Sequence, residues 1–217
     1  MPRTAQEATW HTFWFRGLVV AWILRLTPYI KMVGLNGSMA TGTFTGKSDI
    51  DFYIVTVPGH IYLGRALCIA VTQCLGLRRY GGNVAGRICL NRFATSDFLA
   101  ITPNDSYHAR VFHNTFPLYA SSGTYEKFAE ANSWMESQGF RPVVHQVVLR
   151  DSLISVGVKK LLELLLWPVA GMLESRLEAY QQERYSSDGR VQTGDNVVVL
   201  SNQELRFHLD KTIHGPA

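Results

Sequence analysis

Two aspartates separated by one residue are the part of this sequence best suited to chemistry. Asp49 and Asp51 stand at the head of an apolar run, Phe52-Tyr53-Ile54-Val55, which is typical of a buried β-strand. Because side chains alternate between the two faces of a strand, both carboxylates should lie on the same face. Neighbouring carboxylates repel each other unless a cation lies between them, and oxygen ligands of this kind suit Mg²⁺. We therefore predict that Asp49 and Asp51 bind a divalent metal, Mg²⁺ with Mn²⁺ as the alternative.

A glycine-serine pair precedes these acids. Gly37 and Ser38 follow the segment Val33-Gly34-Leu35-Asn36, so we expect a strand that turns at glycine into a short helix. Backbone N–H groups converge at such a turn, where they can hold an anion such as phosphate. The pair is equally compatible with a plain strand-to-helix turn, and the two acids with a solvent-facing strand start. Their order along the chain favours the functional interpretation.

Glycine-serine followed after a short gap by Asp-x-Asp in a hydrophobic strand resembles the DNA polymerase beta-type nucleotidyltransferase superfamily. The residues that carry the resemblance are Gly37, Ser38, Asp49 and Asp51. More loosely, residues 33–140 resemble small, uncharacterised bacterial nucleotidyltransferase-like proteins. The shared patterns there are Cys89-Leu90-Asn91, Pro117-Leu118-Tyr119 and Ala131-Asn132-Ser133-Trp134.

The resemblance implies a role for each of these residues. Asp49 and Asp51 would hold the metal ions, and Gly37 and Ser38 would grip the β- and γ-phosphates of a nucleoside triphosphate. A third carboxylate on a later strand would complete one metal site and help to deprotonate the nucleophile. For the remaining nucleotide contacts we select Lys47, Ser48, Asn91 and Arg92. Lysine and arginine at these positions are equally expected to be solvated surface charges.

The third carboxylate is the point at which the sequence departs from the superfamily pattern. Asn91 occupies the strand position where an acid is expected, and an amide can ligate a metal but cannot accept a proton at neutral pH. Asp97 is the nearest acid, and we predict it as the third catalytic residue. The alternatives are Asp105 or Glu126, or a protein that binds nucleotide without efficient transfer.

Composition is that of a globular protein without extracellular features. The chain has 217 residues, of which 47% are hydrophobic and 18% charged, and its net charge of +4 suits a polyanionic ligand without indicating nucleic acid. Three cysteines without a Cys-x-x-Cys pair argue against disulfides or zinc, so we expect a cytoplasmic protein. The apolar stretch 153–173 is interrupted by charge and proline, so we predict no membrane span.

Apolar spacing and turn residues predict the elements. We expect strands at 29–35, 49–57, 87–94, 98–101 and 196–200, and helices at 9–26, 61–75, 106–114, 124–138 and 153–183. These make an α/β (α+β) protein, with a small mixed nucleotidyltransferase sheet flanked by helices and a C-terminal helical extension. The predicted parts are an N-terminal helix packing on the core (1–28), the nucleotidyltransferase core (29–105), the helical extension (106–185), and a flexible tail with a short strand (186–217).

We predict a magnesium-dependent nucleotidyltransferase that moves a nucleoside monophosphate from a nucleoside triphosphate to a hydroxyl acceptor. The acceptor is left open among a small molecule, a protein and RNA. The alternative is a catalytically impaired, nucleotide-binding regulatory or antitoxin-like protein. The C-terminal helix is the expected contact for a homodimer or another protein partner.

Overall fold

The structure, a computed structural model, describes residues 4–186 and 198–207. Its strands are β1 (Ile30–Asn36), β2 (Ile50–Thr56), β3 (Ile88–Thr95), β4 (Phe116–Ala120), β5 (Val199–Leu200) and β6 (Glu204–Arg206). Its helices are α1 (Ala5–Leu24), α2 (Gly37–Thr41), α3 (Ile61–Cys74), α4 (Ser106–Phe112), α5 (Thr124–Ala131), a 3₁₀ helix (Ser133–Gln138) and α6 (Leu153–Ser186).

The six strands form one mixed sheet in the order β4-β1-β2-β3-β6-β5. β2 and β3 are parallel, and every other neighbouring pair is antiparallel. A parallel pair needs a crossover connection, and α3 supplies it between β2 and β3. The predicted fold class, a mixed sheet flanked by helices with a long C-terminal helix, is confirmed.

Both faces of the central strands are covered, which explains why β1 and β2 are almost continuously apolar. On one face, Ile50, Phe52 and Ile54 of β2 belong to a core cluster with residues of α1 and α3. On the other face, Tyr53 and Val55 pack with residues of α4 and α5. Asp51 alternates with Phe52, so it belongs to the second face.

The predicted strand at 98–101 is wrong. The chain leaves the sheet after Thr95, and Leu99 and Ile101 are buried in a loop. The buried side chain of Asn132 explains the difference, because it replaces the hydrogen bonds of a strand ladder. Its Oδ1 accepts from the N–H of Ile101 at 2.7 Å, and its Nδ2 donates to the carbonyl of Leu99 at 2.9 Å.

No strand is predicted from the sequence at Phe116–Ala120, yet β4 pairs with β1 within the region interpreted as a helical extension. The strand has five residues and contains Pro117, which weakens its pattern. β4 is an edge strand, where proline is tolerated because one row of backbone groups needs no partner.

The predicted strand at 196–200 corresponds in part to β5, and residues 196 and 197 lie outside the described residues. Together β5 and β6 form a hairpin that adds to the edge of β3. Of the predicted flexible tail, 187–197 and 208–217 also lie outside the described residues.

Glu204 of β6 forms a buried ion pair with Arg92 of β3, with Nη2 and Oε1 2.6 Å apart.

The long predicted helix is present as α6, which packs on α3. Within 4–186 and 198–207, no helix combines the length and apolar character needed to cross a bilayer. The predicted helix at 124–138 is divided at Asn132 into α5 and the 3₁₀ helix.

Candidate active site

The antiparallel pairing of β1 with β2 places the glycine turn beside the acids. Asn36, the last residue of β1, is paired with Asp51 near the start of β2. Gly37 follows at once and opens α2 with a φ of +63°, a left-handed conformation that favours glycine. A β-carbon at position 37 would overlap the carboxylate of Asp51. The turn and the acid are therefore in direct contact, and only a residue without a side chain permits it.

Asp49 and Asp51 converge with a third side chain, Cys89 of β3. One ligand atom from each of these three residues lies within 4.8 Å of the other two. Ile50, between the acids, is fully buried in the opposite core, so both carboxylates face the same way, as the alternation of strand residues predicts. Cys89 joins them because the parallel register of β2 and β3 pairs it with Asp51.

Burial and the closeness of the two carboxylates change the pKa values of Asp51 and Cys89. Burial, and then the neighbouring charge of Asp49, raise the pKa of Asp51 to about 7. Burial also raises the pKa of the Cys89 thiol, and the charges of both acids raise it further. Cys89 is therefore a neutral thiol at physiological pH. The negative charge of the two acids would be stabilised by a positive charge nearby.

Two side chains stabilise the carboxylates in part by donating hydrogen bonds to them. Arg79 donates from Nη1 to Oδ2 of Asp49 at 2.6 Å and lies 3.5 Å from Sγ of Cys89. Asn91 donates from Nδ2 to Oδ1 of Asp51, and its own Oδ1 accepts from the thiol of Cys89 at 2.7 Å. Asn91 therefore lies at the site, where it orients Asp51.

Arg79 and Cys89 are site residues that are not predicted from the sequence. Arg79 lies in the loop between α3 and β3, and no local pattern connects that loop with Asp49. For Cys89 a signal exists, since it shares the Cys-Leu-Asn pattern with Asn91. Once β2 and β3 are known to be parallel, the register identifies Cys89 as the neighbour of Asp51.

The prediction of Asp97 as the third acid is wrong. β2 and β3 run in parallel from the pair Asp51 and Cys89 to the pair Thr56 and Thr95. Asp97 follows Thr95, so it lies at the far end of the sheet from the acids, in an exposed turn. Among the described residues, no third carboxylate joins the group formed by Asp49, Asp51 and Cys89.

The alternative acids have other positions. Asp105 caps α4, where its carboxylate accepts from the backbone N–H of His108 at 2.8 Å and contacts the His108 ring at 2.9 Å. Glu126 is an exposed residue of α5, and it borders a cavity with residues 120–123. Since β4 pairs Ala120 with Met32 of β1, this cavity lies toward the opposite end of β1 from Gly37.

Of the predicted nucleotide contacts, some lie near the acids and one does not. Ser38 is half-buried in the first turn of α2, and Lys47 is exposed just before the acids. Ser48 shapes the same loop, because its Oγ accepts from the backbone N–H of Thr45 at 2.9 Å. Arg92 is not available to a nucleotide, so that prediction is wrong. Its guanidinium is buried against Glu204 and Phe112.

Comparison with known protein families decides the assignment. Residues 23–76 match the model of the nucleotidyltransferase domain family. Over these residues, the chain is similar to the nucleotidyltransferase domain family. This confirms the resemblance to the DNA polymerase beta-type superfamily. The matched segment contains the glycine turn and both acids, and it ends before Arg79 and Cys89. No curated protein and no solved structure matches the chain.

Replacing Gly37 by alanine should damage the site through a defined contact. Gly42 ends α2 with a φ of +74°, and a β-carbon there would meet nothing within 4 Å. Both alanine variants should lose about 1 to 2 kcal/mol of stability from the left-handed backbone. Only Gly37→Ala displaces the Asp51 carboxylate, so only this variant should lose the increase in melting temperature on adding Mn²⁺. An equal Mn²⁺ response in the two variants would contradict the contact.

The raised pKa of Asp51 should make the metal-free protein less stable as the pH rises. The folded state keeps this proton to about pH 7, whereas the unfolded chain releases it near its ordinary value of 3.8. The folded state therefore binds more protons across this window, and the free energy of unfolding falls through it. Asp51→Asn removes the titration, so its stability relative to wild type should rise by up to about 4 kcal/mol between pH 4 and 8.

Urea denaturation with chelator present, at several pH values, measures this difference. The matched control is Asp97→Asn, which changes an exposed acid at the other end of the sheet. Parallel pH profiles for wild type and Asp51→Asn would show that Asp51 ionises normally.

Arg79 should compete with metal for Asp49. Because the guanidinium is partly exposed, the pair should contribute about 1 kcal/mol or less, and Arg79→Gln should bind Mn²⁺ alone about two- to fivefold more tightly. Calorimetric titration of nucleotide-free protein measures this affinity, with Arg78→Gln as the neighbouring control. Weaker Mn²⁺ binding by Arg79→Gln would instead indicate that the arginine holds Asp49 in its binding orientation.

Proposed function

We propose that the protein is a magnesium-dependent nucleotidyltransferase that moves a nucleoside monophosphate from a nucleoside triphosphate to a hydroxyl group. One observation carries the proposal. Two carboxylates converge, and one of them, Asp51, lies directly against a glycine turn, inside the segment that matches the nucleotidyltransferase domain family.

The donor set fits a hard divalent cation. Asp49 and Asp51 offer carboxylate oxygens. Burial, and then repulsion by Asp49, raise the pKa of Asp51, and a bound cation would offset both effects. In the metal-free site, burial and the neighbouring acids raise the pKa of Cys89, so the charged donors are the two carboxylates, which suit a hard cation. Asp49 and Asp51 would therefore hold Mg²⁺ or Mn²⁺. When bound, such an ion supplies charge stabilisation for the entering and leaving oxygens of the reaction.

The glycine turn would receive the triphosphate. Gly37 has no side chain to cover its own N–H, so a phosphate can approach that N–H beside Asp51. Ser38 adds a hydroxyl in the first turn of α2, and the exposed Lys47 adds positive charge just before Asp49. Asn91 holds Asp51 in position, and Ser48 supports the loop that carries Lys47.

In the transfer step, the acceptor oxygen forms a bond to the α-phosphorus as the bond to the bridging oxygen breaks, and pyrophosphate leaves. The acceptor proton must be removed during this step. Cys89 and Asn91 face Asp51 from β3, and neither is a base at neutral pH. We infer that the proton passes to solvent, so the protein works without the general-base assistance that contributes about 10²- to 10⁴-fold elsewhere.

The absence of a base at Cys89 and Asn91 favours a second candidate, a regulatory protein that binds nucleotide and has lost efficient transfer. Cys89 and Asn91 occupy the sheet position nearest Asp51, so a carboxylate base has no place there without substitution. The two candidates share the metal site and differ only in turnover. For both, we place the protein in the cytoplasm, where its three free thiols would stay reduced.

Incubation with each of the four α-labelled nucleoside triphosphates and Mg²⁺ or Mn²⁺ tests the function. The acceptors offered are a panel of small hydroxyl compounds, RNA and the protein itself. We expect label transfer with release of pyrophosphate, and loss of both in Asp49→Asn and Asp51→Asn because the metal ligands are removed. Asp97→Asn is the matched control and should keep full activity.

A further variant separates the two candidates. Cys89→Asp places a carboxylate opposite Asp51 and should increase the transfer rate toward the contribution of a general base. Metal-dependent nucleotide binding without product, in wild type and in Cys89→Asp alike, would establish the regulatory candidate. Absence of any metal-dependent nucleotide binding would overturn both.

A further inference from the structure

The outer face of α6 is apolar over its first five turns. Ten large hydrophobic residues and one proline are exposed there: Leu153, Ile154, Val158, Leu161, Leu162, Leu164, Leu165, Trp167, Pro168, Val169 and Met172. Some of them are mostly in solvent, with exposures of 57% for Leu161, 66% for Leu165 and 77% for Trp167. From Ser175 onward, the exposed residues of α6 are mainly polar or charged. Apolar surfaces of this extent mark interaction sites in monomeric domains.

The inner face of the same helix is anchored by charged side chains. Lys159 donates from Nζ to the carbonyl of Ile30 and to the hydroxyl of Tyr119, both at 2.7 Å. Glu163 accepts from the backbone N–H of Tyr29 at 3.1 Å. These bonds fix the rotation of the helix near its N-terminus, so the leucines of its outer face cannot turn inward.

A third anchor fixes the other half of the helix. The carboxylate of Glu174 accepts from the backbone N–H groups of Tyr62 and Leu63, at 3.0 and 2.7 Å. Between the anchors, Ala170 is buried against Tyr29 and Leu63. The inner face of the helix therefore combines these ionic side chains with Leu166, Leu173 and Leu177, which pack on the protein, while the apolar residues of the outer face remain in water. Their exposure is costly unless another apolar surface covers the outer face.

The spacing of the exposed residues fits a helical partner. Six of them form one stripe with successive intervals of four, three, four, three and four residues: Ile154, Val158, Leu161, Leu165, Pro168 and Met172. Alternating intervals of three and four are those of helices that pack side by side. The series also reads the same in both directions. A stripe of this kind is complementary to a copy of itself that runs the opposite way, which a two-fold interface requires.

We propose that two copies of the chain form a two-fold dimer in which the α6 helices pair in antiparallel orientation through this stripe. Ile154 faces Met172 of the second copy, Val158 faces Pro168, and Leu161 faces Leu165. The polar C-terminal turns of each helix then extend beyond the contact into solvent. This interface is independent of the nucleotidyltransferase site, since α6 contributes no residue to it.

Light scattering coupled to gel filtration tests the assembly. Wild-type protein at micromolar concentration should have twice the chain mass of 24.4 kDa. Leu161→Glu and Leu165→Glu should each have the mass of one chain, with unchanged circular dichroism because both residues are exposed. Arg176→Glu alters an exposed residue of the same helix just beyond the stripe and should remain a dimer.

Cysteine cross-linking tests the orientation without depending on those variants. In a Cys74→Ser background, which removes an exposed thiol, a mixture of Ile154→Cys and Met172→Cys should form disulfide-linked heterodimers. Neither variant alone should cross-link. Cross-linking of Ile154→Cys with itself would overturn the antiparallel pairing. A wild-type monomer would overturn the dimer, whether it stays free or binds phosphatidylglycerol vesicles, and vesicle binding would assign the face to a lipid surface.

Discussion

Repulsion between the carboxylates of Asp49 and Asp51 is the constraint on which the site depends. The acids are forced together because Ile50 between them is committed to the core, and the strand gives both carboxylates the same direction. Gly37 closes the site from the other side, since its turn leaves no room for a side chain. Such an arrangement lowers stability and persists in proteins where it serves a function.

The neighbours of the two acids show how the protein tolerates this charge. Arg79 offsets Asp49 from a loop that is partly open to solvent, and Asn91 donates to Asp51 from β3. Neither replaces a divalent cation, because one arginine and one amide leave the pair with net negative charge. The arginine is also the group most easily displaced. Metal entry and release of Arg79 are therefore expected to be linked in this site.

Sequence pattern alone predicts those parts of the site whose residues are close together along the chain. The turn at Gly37, the acids and the strand after them lie within one short segment, and their spacing predicts their relation. What depends on topology could not be predicted in this way. Asp97 is close to β3 in sequence, but a parallel β3 carries it to the far end of the sheet. Arg92 looks like a ligand for phosphate until Glu204, from a distant hairpin, is seen to neutralise it. β4 is not predicted from the sequence because it is short and contains a proline, which an edge strand tolerates.

The central claim is that Asp49 and Asp51 together hold a divalent cation beside the turn at Gly37. Anomalous scattering from a crystal grown with Mn²⁺ tests it most directly. A manganese peak between the two carboxylates, with the guanidinium of Arg79 moved away from Asp49, is the result we predict. Manganese bound elsewhere, or Arg79 still paired with Asp49 at saturating Mn²⁺, would contradict it.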